Sequence, residues 1–242
     1  MSMRRVILCS VALLALSGAA GAADLAPTAY KAPAARAATD WSGFYAGLHA
    51  GYVRSDVSVL NNINNDGVLP GPFNYNPQGG FAGGQIGVNY QMGSNFLIGI
   101  EGDVGYIGLK GTGLVPSSNP KAHQDLTLDS GWYGDITARA GVVFGSVLIY
   151  GKGGYAYFDT DARQTTTNPG FITTGTGAFN GWVAGGGAEW MFAPNVSVKV
   201  EYLHFDFGSR GGMQTATESG YQFTNSTSLT METVKAGLNY HF

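Results

Sequence analysis

Apolar and polar residues alternate at period two along most of this chain. The clearest stretch sets Ala82, Gly84, Ile86, Val88, Tyr90 and Met92 against Gly83, Gln85, Gly87, Asn89 and Gln91, the spacing of a strand whose two faces meet different media. Segments of this kind fall at about residues 43–58, 80–92, 96–110, 130–144, 147–159, 180–192, 196–206 and 228–242. Each can supply the roughly 9–11 residues that a tilted strand needs to cross hydrocarbon. Between them, Gly93-Ser94-Asn95, Gly145-Ser146 and Ala193-Pro194-Asn195 read as tight turns. The gaps 59–79, 111–129, 160–179 and 207–227 are long and hold most of the Asn, Thr, Ser and Pro.

Short and long connections therefore alternate, which predicts an all-β, transmembrane, antiparallel up-and-down β-barrel of eight strands. Its turns would face the periplasm and its long loops the exterior. Beyond the N-terminus no run of 18 apolar residues occurs, so helices are not the predicted membrane element, and closed barrels are the other permitted solution.

The charged residues assign the faces. A Lys or Arg facing lipid at the midplane costs roughly 2–4 kcal/mol, and an acid somewhat less. Phe96, Ile98, Ile100, Val104 and Tyr106 share one face of their segment, opposite Glu101 and Asp103. The same parity sets Trp132, Ile136, Ala138 and Phe144 against Asp135 and Arg139, Val198 and Tyr202 against Lys199 and Glu201, and Leu238 and Tyr240 against Lys235. With Lys152 and Glu189 the predicted lumen set holds five acids and four bases. Near balance implies mutual pairing in a hydrogen-bonded network with some ordered water. Such a network either plugs the barrel or lines a narrow channel, and the interior of eight strands is about wide enough for side chains to fill it. Gly83, Gly87, Gly185 and Gly187 on the inner face would make room for these long side chains.

Aromatic residues sit at the outer-face ends of the strands. Tyr52, Tyr106, Trp132, Trp182 and Tyr202 lie toward the long loops, and Phe96, Phe144, Trp190, Tyr240 and Phe242 toward the turns, as two interfacial girdles would require.

The remaining composition sharpens this picture. Arg4 and Arg5 precede an apolar stretch from Val6 to Leu16 and then small residues to Ala22, the order of a signal peptide over residues 1–22, cut after Ala22 or Ala23. Export leaves no cysteine in the mature chain and 11 basic against 16 acidic residues, a formal net charge of −5. No cationic field exists for a nucleic acid. Residues 23–40, rich in Ala and Pro, read as a periplasmic linker ahead of a barrel over residues 41–242.

Two stretches carry a resemblance: Asp40-Trp41-Ser42-Gly43-Phe44-Tyr45-Ala46-Gly47, continuing to Gly51-Tyr52, and Lys235-Ala236-Gly237-Leu238-Asn239-Tyr240-His241-Phe242. The chain resembles the alphaproteobacterial outer-membrane immunogenic protein family over essentially its whole mature length. The resemblance implies a porin-like barrel of the OmpA-like transmembrane fold in the Gram-negative outer membrane, a surface antigen exposed to host or environment. It implies that Gly237, Leu238, Tyr240 and Phe242 form the signal read by the barrel-assembly machinery. Unlike in OmpA itself, no peptidoglycan-binding module is expected after Phe242.

Chemistry is sparse. The four histidines, His49, His123, His204 and His241, lack metal-ligand spacing, and no cofactor is expected. His49 reads as a hydrogen-bonded lumen residue. The loop aromatics Phe73, Tyr75, Phe171, Phe179, Tyr221 and Phe223 could meet a host or environmental ligand or pack the loops against their own rim. The leading reading is a non-enzymatic barrel that binds outer-membrane lipid and lipopolysaccharide, contributes to envelope integrity and presents its loops. The alternative is a small porin with a narrow charged lumen. A third reading, a lipid-modifying enzyme, would need a Ser and His together at the outer rim, where His204 and Ser209 are the nearest pair.

Overall fold

A computed structural model describes residues 39–61, 71–115, 124–166, 172–215 and 222–242. The proposed signal peptide and most of the linker, up to residue 38, lie outside the described residues, as do His123, Phe171 and Tyr221. Every regular element among the described residues is a strand: β1 (Gly43–Asn61), β2 (Gly71–Tyr75), β3 (Gln78–Met92), β4 (Phe96–Lys110), β5 (Thr112–Val115), β6 (Gln124–Leu128), β7 (Gly131–Phe144), β8 (Val147–Thr166), β9 (Ile172–Ala193), β10 (Val196–Thr215) and β11 (Gln222–His241). Eight of these, β1, β3, β4, β7, β8, β9, β10 and β11, pair antiparallel with their chain neighbours. The ladder of β1 with β11, from Tyr45↔His241 to Asn61↔Asn225, closes the ring and leaves the wall without an edge.

The turns fall where the sequence puts them. Gly93 and Gly145 adopt φ of 66° and 63°, left-handed values that only a residue without Cβ takes freely. The long gaps differ from expectation. They do not run mainly as irregular loops: β8 and β9 stay paired out to Thr165↔Ile172 and β10 and β11 to Thr215↔Gln222, while β2, β5 and β6 continue the ladders elsewhere. The backbone keeps hydrogen bonding after the strand has left the membrane, where period-two contrast between lipid and lumen no longer marks it.

Side-chain orientation reverses chemistry partway along each strand. On β10, inward Lys199 and Glu201 are followed on the same face by Leu203, Phe205 and Phe207, and the outward face passes from Val200 and Tyr202 to His204 and Asp206. On β11, inward Lys235 gives way to Met231 and Leu229 as outward Leu238 and Val234 give way to Glu232 and Thr230. β1 does the same, with inward His49 followed by Val53 and Val57, and outward Tyr52 followed by Arg54 and Asp56. Below the reversal the barrel is apolar outside and polar inside; above it, toward the loops, it is built as a water-soluble barrel. The reversal marks the outer boundary of the membrane band.

Candidate functional site: a lumen filled in layers

All nine charged residues read as lumen-facing are buried inside the wall: Glu101, Asp103, Asp135, Arg139, Lys152, Glu189, Lys199, Glu201 and Lys235. They come from β4, β7, β8, β9, β10 and β11 and meet because every strand brings its inward parity to one level of the barrel. Glu101 is the hub. Lys152 Nζ donates to its Oε1 at 2.5 Å, and Lys199 Nζ and the Tyr45 hydroxyl donate to its Oε2, each at 2.7 Å. Arg139 Nη1 stands 3.6 Å from the same oxygen. Lys235 Nζ bridges Asp103 Oδ1 at 2.8 Å and Glu201 Oε2 at 2.7 Å, and the Tyr150 hydroxyl donates to Glu201 Oε1 at 2.7 Å.

Toward the turns a second group forms around Glu189, which accepts from Ser197 Oγ at 2.5 Å and Asn239 Nδ2 at 2.7 Å on Oε1 and from Arg139 Nη1 at 3.3 Å on Oε2. The Arg139 guanidinium also lies 4.6 Å from the Tyr45 ring centroid and 5.1 Å from that of Tyr150, stacked in the manner that suits arginine where water is excluded. Asp135 stands apart: neither carboxyl oxygen has a hydrogen-bond partner, and its ladder partner is Asp103.

Two apolar layers close this charged layer. On the loop side, Val53, Val57, Phe81, Ile107, Tyr133, Phe158, Leu203, Phe205, Phe207, Leu229 and Met231 form one continuous buried cluster. The space left among Phe81, Ile107, Tyr133, Phe158 and Leu203 is about 20 Å³, room for about one water. On the turn side, Trp41, Leu97, Val143, Leu148, Tyr150 and Met191 pack as a second cluster. Trp41 is wholly buried, with its backbone N–H on Gln91 Oε1 at 3.0 Å and its Nε1 on Gly145 O at 3.3 Å.

His49 joins the charged and outer apolar layers. Its Nδ1 meets Gln85 Oε1 at 2.5 Å, and its Nε2 contacts the Tyr133 hydroxyl. Inner-face glycines make the space for this packing: a Cβ on Gly87 would come within 2.2 Å of the Tyr45 hydroxyl, and one on Gly83 within 2.8 Å of His49 Nε2.

Tyr52, Phe96, Tyr106, Trp132, Phe144, Trp182, Trp190 and Tyr202 all project outward and are exposed, as are Leu238, Tyr240 and Phe242. Gly237 faces inward beside Lys199. Tyr75 and Phe179, grouped with the loops from sequence, are buried inside the wall, because the ladders that carry them extend past the membrane band. His204 and Ser209 have other partners at the outer rim: His204 Nδ1 engages Glu232 Oε1 at 2.6 Å and Ser209 Oγ bonds Ser228 Oγ at 2.7 Å. Sequence reading missed the apolar layers. The signal was present in the runs Leu203-x-Phe205-x-Phe207 and Leu229-x-Met231, which continue the parity of the lumen charges and not that of the lipid face.

A closed antiparallel ring with an apolar exterior, aromatic girdles and a charged interior defines an outer-membrane β-barrel. Comparison with known proteins fixes the family. The chain matches the outer membrane protein beta-barrel domain over residues 10–242 and belongs to that family. It is 30% identical to the 31 kDa outer-membrane immunogenic protein of Brucella melitensis, over 99% of this chain and all of that protein. It is 26% identical to the 25 kDa outer-membrane immunogenic protein of Brucella abortus, over 100% of this chain and 99% of that one. The resemblance carried by the Asp40–Gly47 and Lys235–Phe242 stretches is therefore borne out. Among solved structures, the outer membrane protein OprG of Pseudomonas aeruginosa aligns with 83% of this chain and 97% of its own, at 10% identity and a TM-score of 0.49.

Proposed function

We propose that this chain is a non-enzymatic, non-conducting barrel that contributes to envelope integrity and presents its extended hairpins and loops outside the cell. The observation that carries the reading is the three-layered filling of the lumen. Ions crossing the charged layer would still have to pass the Phe158–Phe205–Phe207 layer and the Trp41 layer, which are mainly apolar and whose tyrosine hydroxyls are already engaged, that of Tyr133 with His49 and that of Tyr150 with Glu201. In this reading the charges fix register and hold the wall closed, and function lies on the exterior: the girdles engage lipid, and the outer ends meet host or environment, as the immunogenic relatives' names suggest. Export through a cleaved signal peptide and insertion by the barrel-assembly machinery belong to the same proposal.

The test is single-channel recording of the refolded mature chain in planar bilayers, with Glu101→Gln and Lys199→Gln beside the wild type. Folded, silent barrels are expected. Stable wild-type conductance whose ion selectivity changes in those variants would instead make this a small porin.

A further inference from the structure

On the outer wall, just above the level where the faces reverse, Arg54, Gln78 and Lys110 share one rung of the ladder across β1, β3 and β4. All three point outward and are exposed. With neighbouring strands roughly 4.8 Å apart, the two cations stand about 10 Å from one another at the backbone. Neither forms an ion pair among the described residues. Glu232 is the ladder partner of Arg54, but its carboxylate is turned to the far side, where it accepts from the Tyr202 hydroxyl at 2.5 Å and meets His204 at 2.6 Å. Asp56 is engaged by Asn76. Among the described residues, neither cation thus has a carboxylate within ion-pair distance.

Directly beneath them the outward face of β3 is smooth. Gly80, Ala82 and Gly84 form a trough whose walls are Tyr52 and Leu48 of β1 and Tyr106 and Val104 of β4. A Cβ on Gly80 would meet nothing nearer than Gly51 O at 3.8 Å. Elsewhere on the wall a depression of about 860 Å³ lies over Ala138, Ala140, Gly151, Gly153 and Ala184, but exposed Asp159 stands at its loop end, as the ladder partner of Trp132. Among the described residues, the β1–β3–β4 trough is where a groove floored by small residues runs up to exposed cations.

We infer that this trough is a binding site for one phosphorylated glycolipid of the outer leaflet, with Arg54 and Lys110 on its phosphates and an acyl chain along Gly80, Ala82 and Gly84. The position decides the occupant. The cations lie at the loop end, so they meet the outer leaflet, and they stand one outward position above the Tyr52 interface level, where headgroups lie. Two cations carried on strands about 10 Å apart suit a headgroup carrying separated phosphates better than a single phosphodiester. The inference goes beyond the closed-lumen reading, and resting only on the barrel's outer-membrane placement it is independent of whether the lumen conducts.

The experiment measures retention of bisphosphorylated lipid A and of its dephosphorylated form by the full mature chain in phosphatidylcholine nanodiscs, read by native mass spectrometry. With roughly fivefold from each basic residue near an anionic surface, the wild type is expected to prefer the phosphorylated form by about thirtyfold. Arg54→Gln/Lys110→Gln should erase that preference without changing the heat-modifiable gel mobility that reports a folded barrel. Gly80→Leu, which fills the trough, should weaken both forms alike. A wild type without preference, a preference that survives the double substitution, or equal competition by phosphatidylglycerol would each overturn the site. Conducting barrels would sink the closed-lumen reading and leave this one standing.

Discussion

Lys152 and Glu101 meet across the lumen at 2.5 Å, and both side chains are wholly withdrawn from solvent. The pair joins β8 to β4, strands that are not neighbours in the ladder, because β7 lies between them. A tie of this kind holds the ring in one cross-section, which ladder hydrogen bonds between adjacent strands do not do.

Glu101→Gln should therefore be the most damaging conservative change in the charged layer. It leaves Lys152, Lys199 and Arg139 facing an amide, and removing one partner of a buried ion pair costs about 3–5 kcal/mol. Equilibrium unfolding by guanidinium in detergent micelles should show that loss. A midpoint like the wild type's would mean that the network contributes nothing to stability.

Asp135→Asn should do the opposite. Asp135 has no hydrogen-bond partner on either oxygen and sits across from Asp103, so the amide removes an acid without stripping any cation of its counterion. Stability within about 1 kcal/mol of wild type, or above it, is expected, because a neutral amide replaces a carboxylate opposite Asp103 and brings N–H donors to a site where two acids face each other. A drop comparable to that of Glu101→Gln, measured in the same unfolding series, would show that Asp135 is paired after all.

The eight membrane strands, the tight turns and the charged parity were legible in the sequence because lipid and lumen impose opposite chemistry on alternate residues. Glu101 against Ile100 and Lys199 against Val200 state that contrast outright. What escaped was the reversal. Leu203, Phe205, Leu229 and Met231 are apolar like the lipid face but share parity with the charges, so a reading that tracks apolar residues loses phase there. The contact list of the charged layer was not legible either: strand parity puts Lys235 in the lumen and the β10–β11 register sets it opposite Glu201, but only the closure and stagger of the ring bring it to Asp103. Trp41 was visible as part of a motif without a role until the turn-side layer gave it one.

Gly87→Val tests whether inner-face glycines serve packing. An added Cβ would fall 2.2–2.6 Å from the Tyr45 ring and hydroxyl, so Tyr45 must move, giving up its bond to Glu101 and its contact with Arg139. Overpacking of this order costs about 1–3 kcal/mol. The expected signature is a lower unfolding midpoint that is partly recovered in Gly87→Val/Tyr45→Ala, which returns the volume. No recovery in the double variant would place the strain in the backbone and not in Tyr45.

Phe242 separates assembly from stability. In the folded barrel Phe242 is 76% exposed and its ring touches that of Tyr240, with centroids 5.2 Å apart, and its other tie among the described residues is backbone, N–H to Phe44 O at 2.9 Å. Phe242→Ala keeps that backbone bond and loses little burial, so refolding yield and unfolding midpoint in detergent should match the wild type. If the terminal aromatic belongs to the signal read during biogenesis, the same variant should reach the outer membrane of cells poorly, and deleting Phe242 should impair assembly more than removing residues 24–39. Fractionation of both variants decides this, because a residue with a purely structural role would move the unfolding midpoint and the membrane yield together. Equal outer-membrane yields would remove Phe242 from the assembly signal and leave it as one more member of the turn-side aromatic girdle.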